Sequence, residues 1–578
     1  MPEAISLTTA DIVAMIVYMF AVIGIGLWFS RDEKTSEDYL LGGRKIPWYA
    51  VGISYMMSLF STASLVSIPG EIFNHGLSLL VLGVLYPFFS VLSFYVFMGF
   101  YFKLKSFTPF EYLERRFDVS VRLLVSSIYL WTRLLYLAMV LFATSKVFEG
   151  SADWNPIMTI VIVGIIGIIY TVLGGMKAVV WTDVVQFVVL VGGIIVTIFI
   201  CASDIEGGIG GIITYAFDHG HGVDLFTQKS FYSFDPYLRL CFWLLIIGKI
   251  MEPIFYNSGD QISIQRLLST SSYHQAKKAI YTNAIIVLPF TFCLWFIGLA
   301  IYSYYSQNPD PRVTSGDAAF FVFISTKMPS PMPGIILSAM LAAAMSTLDS
   351  GMNSLSAVWV KEFHQKFINK NISEHDQVRL SRLTTLGVGL FAIAGAIAIT
   401  ISSSSLRESV MESMAIWGAL GTILAPAFMV AVTSRRATPK LIWNLSGFCF
   451  GLNFGMVAWY LFSKNGLTGP LGTSWLIIPV VVTLCIYAAA AMTRFKKLLC
   501  IVLRWIALLA AGYVGSILFW FIASRTLGGG ELSFMWVGFP GTMAFLIAAY
   551  ALAPFCKKIP NAKVQGLTLW TLRQKTEE

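Results

Sequence analysis

Residues 49–73 read YAVGISYMMSLFSTASLVSIPGEIF. The segment is long and apolar enough to cross a bilayer, which takes about 20 residues. Its middle nevertheless carries Ser58, Ser61, Thr62 and Ser64, and Pro69-Gly70 follow. Hydroxyls compete for backbone groups and proline removes a donor, so this composition predicts a helix interrupted at membrane depth. A second segment, GKIMEPIFYNSGDQISIQR at 248–266, holds Pro253 and then Asn257-Ser258-Gly259. Five candidate spans separate equivalent positions in the two. Backbone broken inside a membrane survives only where protein covers it or a cavity uses it. Matching interruptions in two halves of a chain mark a transporter's midplane binding site. A pair of simple proline kinks is the alternative.

The rest of the chain fits a membrane setting. Of 578 residues, 57% are hydrophobic and 12% charged, against about 25% charged in a soluble domain. Apolar runs fall at roughly 10–29, 48–73, 77–101, 122–148, 156–173, 183–202, 237–265, 277–303, 333–360, 381–402, 408–433, 441–463, 475–493, 498–523 and 533–554, fifteen in all. The first ends in charge rather than at a small-residue cleavage site, so it reads as a spanning helix and not as a leader. With the N-terminus outside, the loops at 31–45, 103–122, 266–278, 361–382, 434–440 and 494–497, and the tail from Lys557, fall in the cytoplasm. Each is rich in Lys or Arg, whereas 149–153 and 203–236 are poor in them. This positive-inside bias explains the net charge of +9 as topology, with no nucleic-acid surface required. An odd number of spans leaves the C-terminus in the cytoplasm.

TPFEYLERRF (108–117) reads as a short interfacial helix, with Arg115 and Arg116 placed to meet lipid phosphates. Residues 31–47 and 361–380 read as ordinary cytoplasmic loops. The seven cysteines have neither metal-like nor disulfide-like spacing. No soluble catalytic domain and no nucleophile–base set is visible, so the chain is not expected to be an enzyme.

Ionisable residues inside spans cost about 2.5–3.5 kcal/mol each on insertion scales, so each is a functional candidate. They are Arg133, Asp183, Lys249, Glu252, Asp260 and Asp349. Lys249 and Glu252 share one helical face and are placed to pair with each other. Asp349 lies in AAMSTLDSGMNS (343–354). On a helix, Ala339, Ala343, Ser346 and Ser350 share a face, with Thr347 beside it. Close packing through small residues explains the alanines and serines but not the carboxylate. A carboxylate and three hydroxyls on two turns, facing a broken helix with free carbonyls, form an all-oxygen environment. Hard cations want such ligands, and carbonyls replace a hydration shell. Na⁺, H⁺ and K⁺ are not separated by this reasoning.

Three motifs in order, GGMKAVVWTDVVQ (174–186), DQISIQRLLS (260–269) and AAAMSTLDSGMNSLSAVW (342–359), together resemble the sodium/solute symporter family over about residues 10–495. That resemblance implies an all-α polytopic membrane protein, an inverted five-plus-five helix repeat with two interrupted helices, here with about fifteen transmembrane helices. The implied organisation is a first helix and cytoplasmic loop (1–47), a first repeat (48–205), an extracellular loop (206–236), a second repeat (237–435), and additional helices with a cytoplasmic tail (436–578). Its general Na⁺ site maps onto the Met57, Phe60 and Ala343 carbonyls and the Ser346 and Thr347 hydroxyls. A second ion site found in some members maps onto Asp183, Ser346, Asp349 and Ser350. Asp349 departs from the expected Ser, which either strengthens that site or carries a proton. Substrate contacts map onto Ser61, Ser64, Arg133 and Tyr256, the last as an inner gate.

Arg133 bears on the substrate. Its rigid fork suits a carboxylate; the alternative is neutralisation by Glu252 or another internal acid. A tenfold Na⁺ gradient supplies about 1.4 kcal/mol per ion, and 100 mV adds about 2.3 kcal/mol per net charge. One Na⁺ with a monoanion is electroneutral, whereas two Na⁺ yield about 5 kcal/mol by the same sums. The expected function is Na⁺-coupled symport of a small organic solute, a carboxylate such as a monocarboxylate or sialic acid, by alternating access at the plasma (inner) membrane. Its partners are then the solute and the lipid bilayer, with no nucleic acid and no obligatory protein partner. The rivals are a neutral sugar or polyol symporter and, more remotely, a solute sensor on the transporter fold.

Overall fold

A computed structural model describes residues 7–29, 35–152, 154–235, 238, 240–313, 315–402, 421–464, 507–517, 536–557, 559–560 and 564–572. Among them every regular element is helical. By packing the chain forms two units, residues 1–109, 133–229 and 252–403 in the first and 110–132, 230–251 and 404–578 in the second.

The two interruptions are where the polar residues placed them. Helix α3 (Trp48–Met57) ends and α4 (Thr62–His75) begins after four intervening residues. At the break the Ser64 amide bonds the Ser61 carbonyl at 3.0 Å, which takes it away from Phe60. In the second case α10 (Phe242–Ser258) gives way to α11 (Gln261–Leu268), whose N-cap is Asp260. Its loosened backbone is held by α5 (Leu80–Leu104). Ser93 Oγ donates to the Pro253 carbonyl at 3.1 Å, Tyr101 OH donates to the Ser258 carbonyl, and Asn257 Nδ2 donates to Ser93 Oγ at 2.7 Å.

Helix α8 (Pro156–Ser203) is 48 residues long. At 1.5 Å per residue it would reach about 72 Å, more than twice the roughly 30 Å of hydrocarbon. It is two helices bent at Gly175, where φ is 47° and ψ −153°; a side chain there would be strained. The expected spans at 156–173 and 183–202 are its two arms. Helix α1 (Thr9–Phe29) packs Met15, Tyr18 and Val22 inward and leaves Val17, Phe20 and Trp28 exposed. A helix apolar all round belongs in lipid. Seven helices of the described residues are long and apolar enough to cross a membrane. The expected spans at 475–493 and most of 498–523 lie outside the described residues, as do 408–420 and 533–535 of two others.

The segment after α1 is not an ordinary loop. Thr35 and Asp38 form a capping box on α2 (Ser36–Leu41), and Tyr39, Leu40 and Leu41 are fully buried. Gly42 and Gly43, at φ 58° and 66°, turn the chain so that Arg44 reaches Glu37 (2.6 Å) and the carbonyls of Leu268 (3.3 Å) and Ser106 (3.2 Å). Gln265 Nε2 donates to the Leu40 carbonyl at 2.5 Å. Tyr39 and Leu40 cluster with Ala357 of α14 (Met332–Val358) and Val378 of α15 (Glu374–Ser402).

In the second unit, the helix Phe110–Arg116 corrects the interfacial reading of Arg116. This side chain is 3% exposed, and its Nε and Nη2 donate to the carbonyls of Ala431 (3.0 Å) and Ser434 (2.5 Å). It closes the C-terminal end of helix Leu424–Thr433 instead of meeting lipid.

Candidate functional site

Helix α14 carries most of the ion-site candidates. From Ile336 to Val358 every residue is buried, and the run Ala342-Ala343-Ala344 lets neighbouring backbones close in. Its Ser346 and Asp349 bond side chains of α8, and its Ser350 a side chain of α11. Asp183 Oδ1 accepts from Ser346 Oγ at 2.5 Å and Oδ2 from Ser54 Oγ at 2.5 Å. Asp349 Oδ2 accepts from Tyr170 OH at 2.8 Å, and Oδ1 from Ser350 Oγ at 3.0 Å. Neither carboxylate has measurable exposure.

The residues expected around a second cation, Asp183, Ser346, Asp349 and Ser350, are therefore one cluster, and a positive charge already stands in it. Arg266 is 1% exposed, with Nη2 at 3.1 Å from Asp183 Oδ2. Its Nη2 also donates to Ser350 Oγ, its Nε to Ser54 Oγ at 2.8 Å, and its Nη1 to the Ile262 carbonyl at 3.1 Å. Placing Arg266 at the head of a cytoplasmic loop is thus corrected: α11 carries it inward. Asp183 supplied the missing signal, since a buried carboxylate calls for a partner.

Of the five residues expected at the general Na⁺ site, Met57 ends α3, Phe60 lies in the first break, and Ala343, Ser346 and Thr347 lie within about one turn on α14. Thr347 Oγ1 is 3.1 Å from the Ala343 carbonyl. Thr62 Oγ1, at the start of α4, donates to the Met340 carbonyl of α14 at 2.6 Å, tying the break to that helix. Ser346, assigned to both ion sites by the resemblance, spends its hydroxyl proton on Asp183.

Arg133 of α7 (Val119–Ala152) meets an internal acid, Asp260: Nη2 lies 2.7 Å from Oδ1. The guanidinium stands over the rings of Phe255 (5.1 Å) and Tyr136 (5.2 Å). Tyr256 OH donates to Glu252 Oε1 at 3.4 Å, and Tyr256, Tyr136, Arg133, Glu252 and Asp260 are within electrostatic reach of one another. Ser61 and Ser64 stay with the first break, Ser61 buried at the N-cap position of α4 and Ser64 half-buried.

The model of the sodium:solute symporter family matches residues 39–441, which take in both broken helices and all of α14. The chain belongs to this family. It is a multi-pass membrane transporter driven by Na⁺, and not an enzyme. Among curated symporters, the sodium/sialic acid symporter NanT of Aliivibrio fischeri is 28% identical over 438 residues, covering 75% of this chain and 85% of NanT. Sodium-coupled monocarboxylate transporter 1 of Homo sapiens is 28% identical over 451 residues, covering 76% and 71%. In fold, the chain is similar to a Na⁺-coupled sialic acid symporter solved in a substrate-bound, outward-open state. The TM-score is 0.74 at 23% identity, over 96% of this chain and 100% of that one.

Proposed function

We propose that this symporter imports a small organic carboxylate, of the sialic acid or monocarboxylate class, across the plasma membrane, with its N-terminus outside and its C-terminus in the cytoplasm. One Na⁺ would bind between the Met57 and Phe60 carbonyls of the first break and Ala343, Ser346 and Thr347 of α14. The observation that carries this reading is the joining of that break to α14 through Thr62 and Met340, beside the Thr347–Ala343 oxygen pair. Arg133 would receive the solute carboxylate, with Ser61, Ser64 and Tyr256 around it; the sialic acid and monocarboxylate substrates of the relatives support that class. Asp183 and Asp349 bring two negative charges to one guanidinium, and a second Na⁺ or a proton balances the remainder.

The pairing of Arg133 with Asp260 favours a second reading, a neutral sugar or polyol symporter in which Arg133 is structural. Competition separates the two. Na⁺-driven uptake by the reconstituted protein should be inhibited by sialic acid or short monocarboxylates and not by sugars, and Arg133→Ala should abolish it. Inhibition by sugars alone, with Arg133→Ala still active, would sink the carboxylate reading.

A further inference from the structure

We propose that a second Na⁺ binds Asp349 on the side facing α1, with Gln186 Oε1 and Tyr18 OH as its neutral ligands. The proposal rests on that part of the reading above in which a second Na⁺ balances the two carboxylates.

The four residues that the resemblance implies for this ion are already engaged with a cation. Both oxygens of Asp183 are committed, Oδ1 to Ser346 Oγ at 2.5 Å and Oδ2 to Ser54 Oγ at 2.5 Å and Arg266 Nη2 at 3.1 Å. Arg266 also donates to Ser350 Oγ, so its guanidinium stands where these side chains converge. An ion added there would meet a like charge at close range. Asp349 differs, because it accepts only from neutral groups, Tyr170 OH at 2.8 Å and Ser350 Oγ at 3.0 Å. Among the described residues this fully buried carboxylate makes no ion pair.

Two side chains beside the carboxylates hold polar atoms that bind nothing. Gln186 lies one turn beyond Asp183 on α8 and has no measurable exposure. Neither its Nε2 nor its Oε1 has a hydrogen-bond partner among the described residues, and the OH of Tyr18, 7% exposed on α1, has none either. Tyr18 interacts electrostatically with Gln186, Asp349, Asp183 and Tyr170. A hydroxyl and an amide could satisfy each other, yet this pair closes no hydrogen bond.

Helix α1 is fixed against both helices that carry the carboxylates. A Cβ on Gly26 would lie 2.7 Å from Cβ of Tyr170, so α1 and α8 touch there, and Asp11 Oδ1 accepts from Gly334 N of α14 at 3.1 Å. An unpartnered buried polar group costs about 1–3 kcal/mol. Three such atoms next to a carboxylate without a counter-charge supply what a hard cation takes, charge from one ligand and oxygen from the others. The first helix then takes part in ion binding as well as in anchoring the chain.

The test counts radioactive Na⁺ bound to the purified full chain. The wild type should fill two sites. Gln186→Leu keeps the bulk of the side chain and removes its oxygen. It should need about tenfold more Na⁺ to fill one site, equivalent to about 1.4 kcal/mol, and leave alone the site that Thr347→Ala weakens. Without Na⁺ it should melt no lower than the wild type, since it loses an unpartnered group and no bond. Should Gln186→Leu fail to insert, Tyr18→Phe removes one hydroxyl and should weaken the same site. Two sites in the wild type, both unchanged in Gln186→Leu and Tyr18→Phe, would overturn the proposal alone. A wild type that binds one Na⁺ overturns the reading of a second Na⁺, and the proposal with it.

Discussion

Arg266 holds a permanent charge at 1% exposure, and its surroundings are built to meet it: Asp183, the Ser54 and Ser350 hydroxyls and the Ile262 carbonyl. Removing one partner of a buried pair typically costs about 3–5 kcal/mol. Arg266→Ala is therefore expected to lower the thermal stability of the purified protein sharply, and Arg266→Lys to fall between, since an ammonium keeps the charge but not the fork. Wild-type melting behaviour in Arg266→Ala would remove the residue from the frame of the site. Ser346, Thr347 and Asp349 were legible in the sequence because polar side chains stand out in an apolar run. Arg266 was not, because basic residues at the end of a span read as topology and its burial depends on a helix restarting after Gly259.

At the scale of elements, the breaks follow from local chemistry: Pro253, Asn257 and Gly259 in one, and the hydroxyl-rich Ser58–Ser64 stretch in the other. The fold of residues 35–47 does not. That segment is short and charged, and its burial comes from tertiary contacts, Leu40 with Gln265 and Arg44 with Leu268 and Ser106. Arg44 bonds its carbonyls through a charged donor, each such bond worth about 1.5–3 kcal/mol. Arg44→Ala is expected to raise hydrogen exchange selectively in residues 35–47 and 265–268, the segments it clamps. Uniform exchange in mutant and wild type would show that the buried apolar residues hold the segment without Arg44. Arg116 teaches the same lesson in the second unit, where a basic residue next to a span caps a helix rather than facing lipid.

For the whole molecule the question is how much work a transport cycle extracts from sodium. Arg266 neutralises one of the two carboxylates around it, which leaves room in the charge balance for a second cation. Two cations with a monoanion move one net positive charge, for a driving force of about 5 kcal/mol at a tenfold gradient and 100 mV. Carboxylate uptake should then be electrogenic, faster when the vesicle interior is made negative, and Asp349→Asn should diminish that voltage dependence. Voltage-independent uptake by the wild type would mean one Na⁺ per anion. The family's helical architecture was legible from the paired interruptions and three motifs; the full span count was not, since the later apolar runs carry no comparable internal signal.

The most direct test of the central claim is Na⁺-gradient-driven uptake of a labelled carboxylate by wild type and Thr347→Ala side by side. Thr347 is the better choice than Ser346, whose hydroxyl also serves Asp183. The wild type should accumulate solute only with inward Na⁺, and Thr347→Ala should need roughly tenfold more Na⁺ for half-maximal uptake, a loss of about 1.4 kcal/mol. Uptake indifferent to Na⁺, or a Thr347→Ala variant with the wild-type Na⁺ requirement, would contradict a sodium site between the first break and α14.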